Sequence, residues 1–182
     1  MKILGIDPGL RKTGWGIVRF NRNNIIYVGD GYLLQNDNIS LGEKLLKIFN
    51  DIIKIIDDFK PDLVGIEQTF VGSGNVSSLK LGMARGVSIL AATKMNVQII
   101  ELQPKLVKKN ITGSGIASKD QVKEMVKKLL NVNPKNEDSS DALAVAISSQ
   151  AYSPNMKNQS IDTTNNLNKA IEKALMKENL QK

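Results

Sequence analysis

Short apolar runs open the chain. Residues 2–7 (KILGID), 14–20 (GWGIVRF) and 25–34 (IIYVGDGYLL) are separated only by turn residues and predict three strands. Their short connections predict an antiparallel meander. The pattern then changes to a helical period. Leu41, Leu45, Ile48, Ile52, Ile55 and Ile56 trace one face as far as Phe59. Ser40 followed by Glu43 supplies a capping box at its start, and Pro61 closes it. A fourth apolar run, 62–67 (DLVGIE), leads into the loop GSGNVSS and a helix over 77–95 rich in small residues. A fifth strand over 97–101 precedes helices at 104–110, 119–130 and 138–150. Strands first, then strands alternating with helices, predict an α/β domain. Its five-stranded mixed sheet has a meander and parallel strands, with helices on both faces. The helix after Ser40 acts as the crossover that sets the fourth strand parallel to the first.

Composition narrows the chemistry more than the fold. The 182 residues suit one domain with a tail: a folded unit over 1–152, then a loosely ordered Asn- and Lys-rich segment over 153–182. No apolar run approaches a membrane span and the N-terminus reads as a strand, so no membrane association and a cytoplasmic location are expected. The chain has no cysteine and no histidine, which removes disulfides, thiolate metal sites and the commonest general base. Any metal must be held by carboxylates and carbonyls, and that favours Mg2+ or Mn2+. The net charge is +7, and Glu101 to Lys135 holds eight lysines against three acids. An excess of that kind suits a phosphate backbone.

Several carboxylates sit at strand ends or helix starts. Asp7 closes the first strand and Glu67 the fourth, so in parallel neighbours both fall on the carboxyl edge of the sheet, where ligands of open α/β sheets bind. Asp-Pro-Gly is also ordinary turn chemistry. Asp138 and Asp141, in NEDSSDALAVAI, are three apart and share a helical face. Asp138 and Ser139 also read as N-caps, and Asp141 as a partner of the helix dipole. If that helix packs with its start at the sheet rim, four carboxylates meet in one crevice. Divalent ions would relieve their repulsion, as in two-metal phosphodiester hydrolysis, with ions about 3.5–4 Å apart.

The segments GIDPGLRKTGWGIV, VGIEQTFV, SLKLGMARGV, GSGIASK and DSSDALAVAI, in this order from Lys2 to Ser149, closely resemble the RuvC family of Holliday junction resolvases. The resemblance implies a ribonuclease H-like fold and a homodimer. It implies Mg2+-dependent symmetric nicking of four-way DNA junctions, alongside the RuvA–RuvB branch-migration complex. By position it places the catalytic, metal-holding acids on Asp7, Glu67, Asp138 and Asp141. Some members carry histidine where this chain has Asp138. Phe70 matches an aromatic that stacks on opened bases, although core packing is its alternative. Lys119 matches a functionally important basic position. Lys105, Lys108 and Lys109 join it as candidate DNA contacts, with Arg11 and Lys12 behind them. The small-residue helix either lies close on its own sheet or offers Leu79, Leu81, Met83 and Leu90 to a second copy.

Other proteins also open on Asp-x-Gly and a returning strand. Actin-like ATPases need a second such loop and a second domain, for which this chain has no counterpart. A binding scaffold without catalysis would be expected to lack at least one of the four acids.

Overall fold

A computed structural model describes residues 1–22, 24–68 and 76–153. Five strands form one sheet: β1 (Lys2–Asp7), β2 (Lys12–Asn21), β3 (Asn24–Leu34), β4 (Leu63–Glu67) and β5 (Gln98–Leu102). Their spatial order is β3-β2-β1-β4-β5. The first three strands pair antiparallel, and β4 and β5 run parallel to β1. The meander and the parallel fourth strand are therefore as the sequence predicts. The second strand begins two residues earlier than expected, at Lys12, which pairs with Leu34.

Among the described residues five helices cover the sheet: α1 (Leu41–Phe59), α2 (Val76–Lys94), α3 (Pro104–Thr112), α4 (Lys119–Leu130) and α5 (Glu137–Ser149). A short 3-10 turn follows at Gln150–Tyr152. Alternation along the strands divides the core in two. Leu4, Ile6, Val64 and Ile66 face Ile48, Ile52, Ile56 and Ala91 of α1 and α2. Ile3, Val18, Leu63 and Leu102 face Val107, Val126 and Leu143 of α3, α4 and α5. The capping box of α1 is present: Glu43 N–H donates to Ser40 Oγ at 3.3 Å, and Ser40 N–H to Glu43 Oε2 at 2.7 Å. Lys60, at φ 47°, closes the helix before Pro61.

The close approach in this fold belongs to α5. A Cβ placed on Gly5 would lie 2.0 Å from the Ala142 carbonyl oxygen. One on Gly14 would lie 2.1 Å from the Asp138 carbonyl oxygen, and one on Gly65 would lie 1.9 Å from Ser149 Oγ. Glycine in these strands lets the helix backbone rest directly on the sheet. The small-residue helix α2 is different. Ala84, Ala91 and Ala92 are buried, but a Cβ on Gly82 or Gly86 would meet nothing within 4 Å among the described residues. Its glycines are not what brings it against its own sheet.

Candidate active site

Asp7 and Glu67 come together through strand register. Ile3, Gly5 and Asp7 share one face of β1, and Leu63, Gly65 and Glu67 share the same face of β4. Ile3 and Leu63 lie in the α5-side core, and the two glycines touch α5, so this face looks towards that helix. In the parallel register Gly5 pairs with Gly65 and Ile6 with Ile66. The next residues along are the two acids, side by side where the strands end.

The N-terminus of α5 meets them there. Its cap is Asn136, not Asp138 or Ser139 as the sequence suggests: Asn136 Oδ1 accepts from Ser139 N–H at 2.8 Å, and Asn136 N–H donates to Ser139 Oγ at 3.1 Å. Asp138 thus lies inside the first turn, with its side chain freed from capping. Asn136, Asp138 and Ser139 are all good cap residues. Tertiary contacts on the flanking backbone decide among them.

A crevice of about 300 Å³ opens between these elements. Asp7, Glu67 and Asp141 line it together with Lys108 and Lys119, over a floor of Pro104, Val107, Val122 and Ala144. Asp138 does not line it; its Oδ2 lies 3.9 Å from Lys12 Nζ. Lys119 Nζ lies 3.5 Å from Asp141 Oδ2.

Burial and crowding by like charge act on these acids together. Burial, then the charges of Glu67, Asp141 and Asp138, pushes the Asp7 carboxyl up to about 8. Glu67 is raised to about 7, by burial and then by Asp141, against a hydrogen bond from Asp7. Joined by that bond, the two acids titrate as a pair. Asp141 is raised as well, because burial outweighs the Lys119 ammonium beside it, and Asp141 in turn raises Lys119.

This donor set suits a hard divalent cation, being oxygen-only and short of countercharge. As they stand, no three acids among the described residues are grouped tightly enough to hold one ion. Binding there would require the Asp7–Glu67 pair to lose its proton and the Lys119–Asp141 pair to loosen.

The remaining candidates divide. Pro104, Val107, Lys108 and Ile111 recur at helical spacing and form the inward face of α3, which carries Lys108 into the crevice. Lys105 and Lys109 are exposed and do not line it. Arg11 pairs with Asp37 at 3.5 Å, away from the acids. Lys12 lies over the ring of half-exposed Tyr32, 5.6 Å from its centroid. Phe70 lies outside the described residues. Sequence reasoning missed the strand glycines under α5 and a buried acid, Asp30. Their signals were glycine inside apolar strands and a lone charge between two glycines in β3.

The raised carboxyls set a pH dependence. Between about pH 4 and pH 8 the folded protein holds protons that the unfolded chain releases, so metal-free stability falls as pH rises. No histidine or cysteine titrates in that window to obscure the effect. Calorimetry in a chelator should show Tm dropping by several degrees from pH 5 to pH 8, and Mg2+ restoring it at pH 8 far more than at pH 5. A Tm that is flat or rises with pH would contradict this account of the crevice.

A β-meander-plus-parallel sheet with an acid-lined crevice at its carboxyl edge defines the class: the ribonuclease H-like fold. The sequence profile described as crossover junction endodeoxyribonuclease RuvC matches residues 3–149. A crossover junction endodeoxyribonuclease RuvC from Rhodopseudomonas palustris (strain BisA53) is 45% identical over 148 residues, covering 81% of this chain and 85% of that protein. The solved structure of T. thermophilus RuvC in complex with Holliday junction substrate superposes with a TM-score of 0.77 at 27% identity, covering 84% of this chain and 94% of the other. A yeast mitochondrial Holliday junction resolvase shares the fold at a TM-score of 0.59 and 13% identity, covering 96% and 85%. The chain belongs to the RuvC family of crossover junction endodeoxyribonucleases.

Proposed function

We propose that this chain is a structure-selective endonuclease that resolves four-way DNA junctions by paired hydrolytic nicks, in recombination and repair. The observation that carries the reading is the meeting of Asp7, Glu67 and Asp141 in one crevice flanked by Lys108 and Lys119. Acids alone suit many metal sites; acids with lysines at the mouth suit a phosphodiester.

Asp7, Glu67, Asp138 and Asp141 are the residues to hold two divalent ions, Mg2+ with Mn2+ as a substitute. Such ions supply an activated water and neutralise charge on the phosphoryl oxygens. Asp7, which lines the crevice together with Glu67 and Asp141, would be the ligand shared between the ions. Asp138, outside that lining, serves as an outer ligand or orients the water. Lys108 and Lys119 draw the scissile strand inwards, and Lys105 and Lys109 contact phosphates further along. Phe70 stacks on an opened base.

The nuclease domain spans 1–152. A homodimer suits a substrate with two equivalent strands. Leu79 and Leu90 of α2 are 59% and 58% exposed beside the open positions of Gly82 and Gly86, and that face supports the pairing. RuvA–RuvB is the expected partner, in the cytoplasm. Among the described residues no helix is long and apolar enough to cross a membrane.

A synthetic junction incubated with Mg2+ should be nicked at symmetric positions while a linear duplex of the same sequence is left intact. Binding should weaken steeply with salt, since the lysine contacts are to phosphate. Equal cutting of both substrates, or none with any divalent ion, would overturn the reading.

A further inference from the structure

Asp30 is a buried carboxylate outside the crevice, only 1% exposed. It lies on β3 opposite Gly16 of β2, and Gly16 packs against Leu143 of α5, so the Asp30 side chain shares the α5-facing side of the sheet. Both of its oxygens are engaged. Tyr27 donates its hydroxyl to Oδ1 at 2.5 Å, and the Lys135 backbone N–H donates to Oδ2 at 2.8 Å. Burial raises the Asp30 carboxyl, but these bonds outweigh it and hold the group below its ordinary value.

We propose that Asp30 is a positioning residue, which fixes the first turn of α5 so that Asp138 and Asp141 are presented to Asp7 and Glu67. Its bond to the Lys135 N–H holds the backbone immediately ahead of the Asn136 cap, where α5 begins. The tie joins residues 105 positions apart in sequence, whereas the Asn136–Ser139 box is local and survives without it. The strand glycines set how close α5 lies; they do not set how its first turn is rotated about the helix axis. Asp30 supplies that restraint, and its charge also faces the positive end of the helix. Without it α5 remains helical and packed, but its two acids are held less firmly. The inference rests on the reading of the four acids as a metal site.

The test compares Asp30→Asn, Tyr27→Phe and Ile52→Val, the last a mild change in the opposite core. In metal-free protein, amide hydrogen exchange in the first turn of α5 should quicken in Asp30→Asn relative to the rest of that helix. Mn2+ affinity, measured by electron paramagnetic resonance without DNA, should fall by about tenfold or more. The Mg2+ concentration that half-saturates cleavage should rise in step, with junction binding in Ca2+ unchanged. Tyr27→Phe should give a smaller shift in the same direction, and it carries the test alone if Asp30→Asn does not fold. Ile52→Val should lower Tm with no change in Mn2+ affinity. Wild-type exchange and Mn2+ affinity in both Asp30→Asn and Tyr27→Phe would overturn the inference. A wild-type protein that binds no Mn2+ would instead overturn the metal-site reading, and this inference with it.

Discussion

Asp7→Asn is expected to lower junction cleavage by about 10³-fold or more while leaving junction binding intact, and to raise the Tm of the metal-free protein. The two effects have one cause. Asp7 is the acid whose carboxyl every other acid of the crevice raises. An amide in its place keeps the shape and one acceptor oxygen, but it cannot hold a divalent cation as a carboxylate does. A loss of about 10³ corresponds to about 4 kcal/mol of transition-state stabilisation. Without metal the balance is reversed. A charge buried among like charges destabilises the fold, and its removal should return about 1–3 kcal/mol at pH 8. In a chain of this size that is several degrees of Tm. The gain should be smaller at pH 5 and vanish only below about pH 4, where the folded and the unfolded chain both hold the Asp7 proton. Junction cleavage by gel assay, binding in Ca2+ and calorimetry at the two pH values check all three parts. A variant that is inactive and also destabilised at pH 8 would mean that Asp7 serves the fold, and the catalytic reading would fail.

The sheet, its helices and the pairing of Asp7 with Glu67 were legible because each rests on a local pattern. Apolar runs end in acids, and a capping box at Ser40 starts the one helix that can make the crossover. Parallel register then follows from topology rather than from side-chain detail. The α5 cap was not legible in the same way. Asn136, Asp138 and Ser139 compete for it on equal local terms, and the Lys135 N–H just ahead of the cap is held by Asp30 from a distant strand. The lysines illustrate a finer limit. Charge alone groups Lys105, Lys108 and Lys109, but only Lys108 follows Val107 and Ile111 onto the inward face of α3. The spacing that separates them was present in the sequence. It becomes decisive once the buried side of the helix is known. Of the two readings of the small-residue helix, close packing through its glycines on its own sheet is the one the structure does not have; the tight contact lies under α5.

That contact carries the second large effect. Gly5→Ala would place a methyl group 2.0 Å from the Ala142 carbonyl oxygen, 2.5 Å from the Ala146 nitrogen and 2.9 Å from its Cβ. Two of these are backbone atoms of a helix, which no rotamer change can move aside. Either α5 lifts from the sheet or the strand bends, and overpacking of this kind costs about 3 kcal/mol or more. The displaced helix is the one that carries Asp138 and Asp141. A shift of about 1 Å is enough to lower the rate on the order of 10²-fold even in molecules that remain folded. Gly82→Ala supplies the contrast. None of the described residues lies within 4 Å of the added methyl, and alanine is favoured over glycine inside a helix by about 1 kcal/mol, so that variant should fold at least as well as the wild type. Tm and single-turnover cleavage, compared below the transition of the weaker protein, separate the two. Equal cleavage by Gly5→Ala and wild type would show that the first turn of α5 can shift without consequence for the acids it carries. The convergence of strand ends and helix start would then be a feature of packing alone.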